Sequence, residues 1–254
     1  MLNEKELKER FTEFLNKYEN GYYQLSGDYD FLEMSIPTYL LLNYQNAYKN
    51  PRANDKVFYQ IFSAIDALPQ EINPYYQFMK IIEKEFGLER DIIDVGGGMF
   101  PALSLEIAKR QKEIGKGTIT CYDPELVTTT LDGITLKKEK FTLSSSIPEN
   151  ALIIGQKPCE ATETIIRTSS IKNLEVFVQL CACTHNVPRE YRLSHTETKN
   201  LWYSYIQELA EDTLPEGFSL EKGTMIDPLA KIQQESPNYK LNIEDPTIMI
   251  KRKK

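Results

Sequence analysis

The sequence predicts an α/β fold, a mostly parallel sheet with helices on both faces, preceded by an all-helical segment. Three observations carry that expectation. Beyond residue 90, short continuous apolar runs alternate with helical patterns, as strands buried on both faces by crossover helices should. One of those runs, Ile92-Ile93-Asp94-Val95, passes straight into Gly96-Gly97-Gly98 and then into a helical stretch. Before residue 90 the texture differs, because residues 1–88 hold most of the tyrosines and phenylalanines and follow a helical period.

In the first segment, Leu7, Phe11, Phe14, Leu15 and Tyr18 recur at helical spacing and make one amphipathic face. Val57, Phe58, Ile61, Phe62 and Ile65 do the same after Asn54, a good N-cap. A third helix has Asn73 to cap it, Pro74 in its first turn, Phe78, Met79 and Ile82 inward, and Gly87 to end it. An aromatic-rich stretch, Tyr22 to Tyr48, lies between the first two, helical at least from Tyr39 to Tyr48. The expected division is therefore a helical cap over 1–88 and a sheet domain over 89–254.

Within the second segment, strands are expected at Asp91–Val95, Thr118–Tyr122, Ile134–Leu136, Ala151–Ile154 and Glu175–Leu180. A final strand is expected at Thr247–Ile250, just after Pro246. Helices are expected at Pro101–Lys112, Thr162–Ser169 and Thr196–Glu211. The last is announced by Ser194 and Glu197 at capping-box spacing.

Composition narrows the function classes. With 254 residues, 41% hydrophobic and 26% charged, the chain can bury an ordinary globular core. No stretch approaches the roughly 18 apolar residues of a membrane span, and the start, Met1 to Glu6, lacks the apolar run of a signal peptide. A cytoplasmic protein with reduced cysteines (Cys121, Cys159, Cys181, Cys183) is expected. A net charge of -7 disfavours broad grip on nucleic acid. The basic tail, Lys251 to Lys254, reads as a solvated end.

The glycine turn carries the chemistry. A buried strand running through three glycines into a helix brings backbone close to a nucleotide, and glycine removes the side chains that would block it. Phe100 and Pro101 stand where a dinucleotide fingerprint has further glycine, which weakens a pyrophosphate reading. Asp94, just before the turn, suits a cationic ligand better than a diphosphate. It could hold the amino group of a methionine moiety. The structural alternative is a plain turn with Asp94 capping local amides. Thr118 to Tyr122 ends in Asp123, about 25 residues beyond the turn, where an acid can accept from both ribose hydroxyls.

Asp94-Val95-Gly96-Gly97-Gly98, with Asp123 after the next strand, resembles motifs I and II of class I S-adenosylmethionine (SAM) dependent methyltransferases. The resemblance covers roughly residues 90–183 and implies a Rossmann-like sheet. It implies that Asp94 and Gly96–Gly98 border the methionine part of SAM, Asp123 the ribose, and Phe141 the adenine. It also implies that the loop after the fourth strand, Ile153 to Glu163, faces the transferred methyl, with Gly155 at its start. That loop is similar to a branch with Gly-Leu-His-x-Cys-Gly-Asp there, a branch that includes tRNA ribose methyltransferases. A string after strand five in that branch has a counterpart in Leu180 to His185. Gln156-Lys157 and Glu160 depart from its pattern, so no acceptor carries over.

Chemically, Glu160 or Glu163 could take a proton, Lys157 could steer an anionic acceptor, and His185 is expected at the substrate mouth. The structural alternative for the acids is the exposed first turn of a helix, where its dipole favours them. His195 reads as a helix-start residue. Cys181-x-Cys183-x-His185, with Cys159, lacks the usual spacing of structural zinc, so apolar packing and no metal are expected. The acidic balance and the added cap favour a small-molecule acceptor, with RNA as the alternative. A SAM-binding protein without transfer activity and an NAD(P)-dependent oxidoreductase remain the rival readings.

Overall fold

The computed structural model describes residues 3–17, 56–126, 130–183, 186–226 and 244–253. Tyr22–Tyr48, Asn54 and His185 lie outside them. In chain order the elements are α1 (Glu4–Lys17), α2 (Lys56–Ala64), α3 (Pro74–Phe86), β1 (Asp91–Val95), α4 (Ala102–Ile114), β2 (Thr118–Tyr122) and β3 (Ile134–Lys137). There follow β4 (Leu152–Gln156), α5 (Ala161–Lys172), β5 (Glu175–Gln179), α6 (His195–Asp212), β6 (Phe218–Ile226) and β7 (Glu244–Arg252).

The strands form one sheet in the order β3-β2-β1-β4-β5-β7-β6. β1 to β5 run parallel, and β7 alone opposes them, between β5 and β6. The chain winds outward from β1 to β3, returns to β4 on the other side of β1, and winds outward again. Such a reversal opens a crevice at the carboxyl ends of β1 and β4, where ligands of doubly wound sheets bind. The fold is Rossmann-like, as expected.

Side-chain alternation explains why helices cover both faces. Ile92, Leu152, Ile154 and Phe177 point into a core shared with α1 to α4. Ile93, Val95, Ile153, Val176 and Val178 point into the opposite core, with α5 and α6. α3 forms as its sequence dictates: the Asn73 side chain accepts from the Tyr75 and Tyr76 N–H groups at 3.0 and 3.2 Å, Pro74 opens the helix and Gly87 closes it at φ 74. Its Phe78 stacks on Phe177 of β5 at 4.7 Å between centroids. Burial of one such ring contributes about 1.5–3 kcal/mol. α6 starts with the expected capping box of Ser194 and Glu197.

Two strand boundaries and one whole strand depart from expectation for local reasons. β4 runs on through Gly155 and Gln156 because these residues pair with Val178 and Gln179. β7 starts before Pro246. β5 pairs with β7 only as far as Thr247, and beyond it Leu180 N–H donates to the Pro246 carbonyl, so the missing proline N–H is not needed. β6 was not expected at all. As an edge strand it keeps Glu221, Lys222, Gly223 and Thr224 exposed, which erases the apolar alternation. No helix among the described residues is long and apolar enough to cross a membrane.

Candidate cofactor site

The β1 turn is shaped by what surrounds it. Gly96 sits at φ +81, and a Cβ there would lie 2.8 Å from Pro158 Cα. Gly98 sits at φ +76, and a Cβ there would lie 2.6 Å from the Gln60 amide. That amide, from α2, donates to the Gly97 carbonyl at 2.8 Å, so the N-terminal helices brace the turn. Phe100 is 2% exposed and meets Phe14 of α1 edge-on at 4.9 Å. Pro101 is the N-cap of α4 and supplies no side-chain cap.

Asp123 closes the turn from β2. Its Oδ2 accepts from Gly98 N–H at 2.7 Å and its Oδ1 from Glu125 N–H at 2.8 Å. A cleft of about 480 Å³ opens here, lined by Gly96, Gly98, Asp123, Phe141, Lys157 and Glu160 among others. Phe141, after β3, packs edge-on against Tyr122 at 5.4 Å and is buried. Burial also raises the Tyr122 phenol above its ordinary range.

The far wall is the turn between β4 and α5. Lys157 and Cys159 take the left-handed backbone at φ 57 and 50, a conformation that costs a non-glycine residue about 1 kcal/mol or more. Lys157 N–H donates to the Gln179 carbonyl at 2.9 Å. Its ammonium pairs with Asp245 of β7 at 2.8 Å, and Gln179 Nε2 donates to the same carboxylate at 3.3 Å. Burial first, and Asp245 second, push the Tyr203 phenol up to about 12. Glu160 pairs with Lys140 at 3.1 Å across the mouth, its side chain 71% exposed.

Three solved structures similar to this chain are methyltransferases. A precorrin-6y C5,15-methyltransferase from Geobacter metallireducens is 12% identical, with 70% of this chain and 88% of that one covered at a TM-score of 0.43. The 23S rRNA methyltransferase ErmE is 17% identical over 70% of this chain and 67% of that one, at 0.41. The plantazolicin methyltransferase BpumL, in complex with SAH, is 12% identical over 97% and 99%, at 0.36. No protein-family model and no curated protein matches the chain. At such values the fold rests on the strand order itself, and the site on its own geometry.

The structure thus brings Gly96, Gly98, Asp123, Phe141, Lys157 and Glu160 to one cleft. Asp94, Gly97 and Gly155 stand behind it. Asp94 is 1% exposed and accepts from the Ser104 hydroxyl at 2.6 Å, tying α4 to β1. The neighbouring Cys121 thiol is raised well above its usual range, by burial first and by the Asp94 charge second. A Cβ at Gly97 would meet Cys121 Sγ, and one at Gly155 would meet Pro158 and Ile165, so both glycines serve packing. Glu163 pairs with Arg167 one turn along α5 at 2.8 Å, apart from the cleft lining.

Tyr122, Pro124, Glu125, Lys140 and Thr164 also line the cleft. Those of them next to Asp123 and Phe141 could have been found by extending each motif past its strand end. Asp245 and Tyr203 reach Lys157 from distant segments and leave no local signal. The sulfurs form a further grouping: Cys181 and Cys183 are joined as a disulfide, where reduced thiols were expected, with Cys159 beside them.

Proposed function

We propose that this chain is a SAM-dependent methyltransferase. The observation that supports this best is Asp123, whose carboxylate ends β2, is held by the glycine-turn amide of Gly98, and lines the same cleft as Gly96 and Phe141. Each carboxylate oxygen has accepted one backbone bond and keeps a lone pair, enough for two ribose hydroxyls. Gly96 and Gly98 leave backbone bare on the methionine side. Phe141 and Tyr122 offer aromatic surface at the adenine side. The cleft volume falls within the range of ordinary ligand pockets.

When bound, SAM supplies a methyl carbon already activated by its sulfonium charge. The chain's own task is then alignment. Lys157, fixed by Asp245 and by the Gln179 carbonyl, forms a rigid wall for the acceptor. Glu160, at the mouth, is placed to take a proton. The start of α4 is covered, with Phe100, Ala102, Leu103 and Ser104 all buried, which leaves no accessible helix terminus for a diphosphate and argues against a nicotinamide cofactor. The net charge of -7 favours a small-molecule acceptor over RNA.

Calorimetry with SAM, S-adenosylhomocysteine and NADPH tests the reading. Both adenosyl ligands should bind, and Asp123→Ala should weaken them by about tenfold to a hundredfold, the worth of hydrogen bonds to a charged group. Preference for NADPH, or no adenosyl binding, would end the proposal. Labelled methyl transfer into bulk tRNA or rRNA but not metabolite extracts would reverse the acceptor preference. Binding without any transfer would indicate a regulatory protein.

A further inference from the structure

Three sulfurs from two chain segments converge beside the cleft. Cys159, in the turn after β4, stands 3.3 Å from Cys181 Sγ and 3.5 Å from Cys183 Sγ, both in the segment after β5. All three sulfurs lie within 4.8 Å of one another. Apolar packing does not account for this grouping, since of the three only Cys181 is buried while Cys159 and Cys183 are half-buried. The positive φ of Cys159 and of Lys157 means that the turn holds a costly backbone in the form that puts these sulfurs together.

We propose that, once reduced, Cys159, Cys181 and Cys183 form a binding site for a single thiophilic metal ion of the zinc type. A tetrahedral ion with zinc–sulfur bonds of about 2.3 Å sets its sulfurs about 3.8 Å apart, so the Cys159 separations need open by only a few tenths of an ångström. Three protein ligands are the number at which zinc keeps a fourth position for water or a substrate group. The Cys181–Cys183 bridge spans one intervening residue and restrains little of the unfolded chain, so chain entropy does little to hold it closed. A water-soluble phosphine opens it, leaving as the phosphine oxide with the oxygen of water and giving two thiols. Binding of a divalent ion by the three thiols then releases three protons. The ion would fasten the turn that carries Lys157 and Glu160 to the segment after β5. This inference does not depend on the identity of the cofactor.

The full chain, reduced with the phosphine, is dialysed against micromolar zinc and then metal-free buffer, and its metal is measured by plasma mass spectrometry. One zinc per chain is expected for the wild type and for Cys121→Ser, and background levels for Cys159→Ser and Cys181→Ser. Cobalt loading of the wild type should give a sulfur-to-cobalt charge-transfer band. In a readout that needs no variant, zinc should protect the three thiols of the wild type from iodoacetamide. No retained metal, zinc content unchanged in Cys159→Ser, or alkylation of all three thiols at the same rate with and without zinc would each overturn the proposal. So would a Cys159–Cys181 bridge that persists in the reduced, zinc-treated protein.

Discussion

The β1–β2 side of the cleft joins neighbours in sequence, with Asp123 and Gly98 25 residues apart. The β4–β5 side draws Gln179 to Asp245 across 66 residues and Gln156 to the Pro74 carbonyl across 82. On the first side, backbone amides of Gly98 and Glu125 hold the Asp123 carboxylate. On the second, side chains hold one another, and the ammonium of Lys157 is tied to an acid from β7. A contiguous motif can carry a cofactor site, because successive strand ends of a parallel sheet adjoin. A substrate wall built from whichever elements reach it carries no such signature.

The largest effect should come from the contiguous side. Gly96→Ala would set a Cβ 2.8 Å from Pro158 Cα at φ +81. It should destabilise the protein by about 3 kcal/mol, lowering the melting temperature by roughly 6–12 °C and abolishing adenosyl binding in calorimetry. Gly115→Ala, at a helix end with nothing within 4 Å of its Cβ, should cost only about 1 kcal/mol. Equal losses at the two positions would mean that the turn is not pressed against the β4 loop.

An intermediate effect is expected from the assembled side. Asp245→Asn removes the partner of Lys157, whose side chain is 30% exposed, so the cost should be about 1–2 kcal/mol, below that of a fully buried pair. The carboxylate opposes ionisation of Tyr203, whose phenol sits at about 12. Its removal should therefore move that titration down toward the ordinary tyrosine range. NMR of ring-labelled tyrosine, with Tyr203→Phe to assign the signal, would show it. An unmoved midpoint would detach Tyr203 from the network. The smallest effect belongs to Glu163→Gln, an exposed helical pair with Arg167. Chemical denaturation should change by no more than about 0.5 kcal/mol, with adenosyl affinity unaltered.

The same contrast explains what could be read in advance. β1, β2, the capped α3 and the boxed start of α6 were legible because their signals are local: a buried apolar run, an Asn-Pro start, a Ser–Glu pair. Asp123 was legible because it ends such a run. Asp94 was expected at the ligand by adjacency to the turn, yet strand alternation sends its side chain toward α4, the face opposite Val95. β6 hid because an exposed edge has no apolar period, and the Asp245–Lys157 pair because its members share no stretch of chain. Cys181 and Cys183 stood together in the sequence, and the strained turn after β4 brings Cys159 to them.

β7 follows β6 in the chain but lies inside it in the sheet. While the polypeptide is synthesised from its N-terminus, the outer rim of β5 stays uncovered through the emergence of α6 and β6, since β6 has no partner until β7 arrives. An unpaired strand edge on a nascent sheet is an aggregation hazard. Maturation of this half of the molecule therefore waits on β7, the strand that pairs with both β5 and β6.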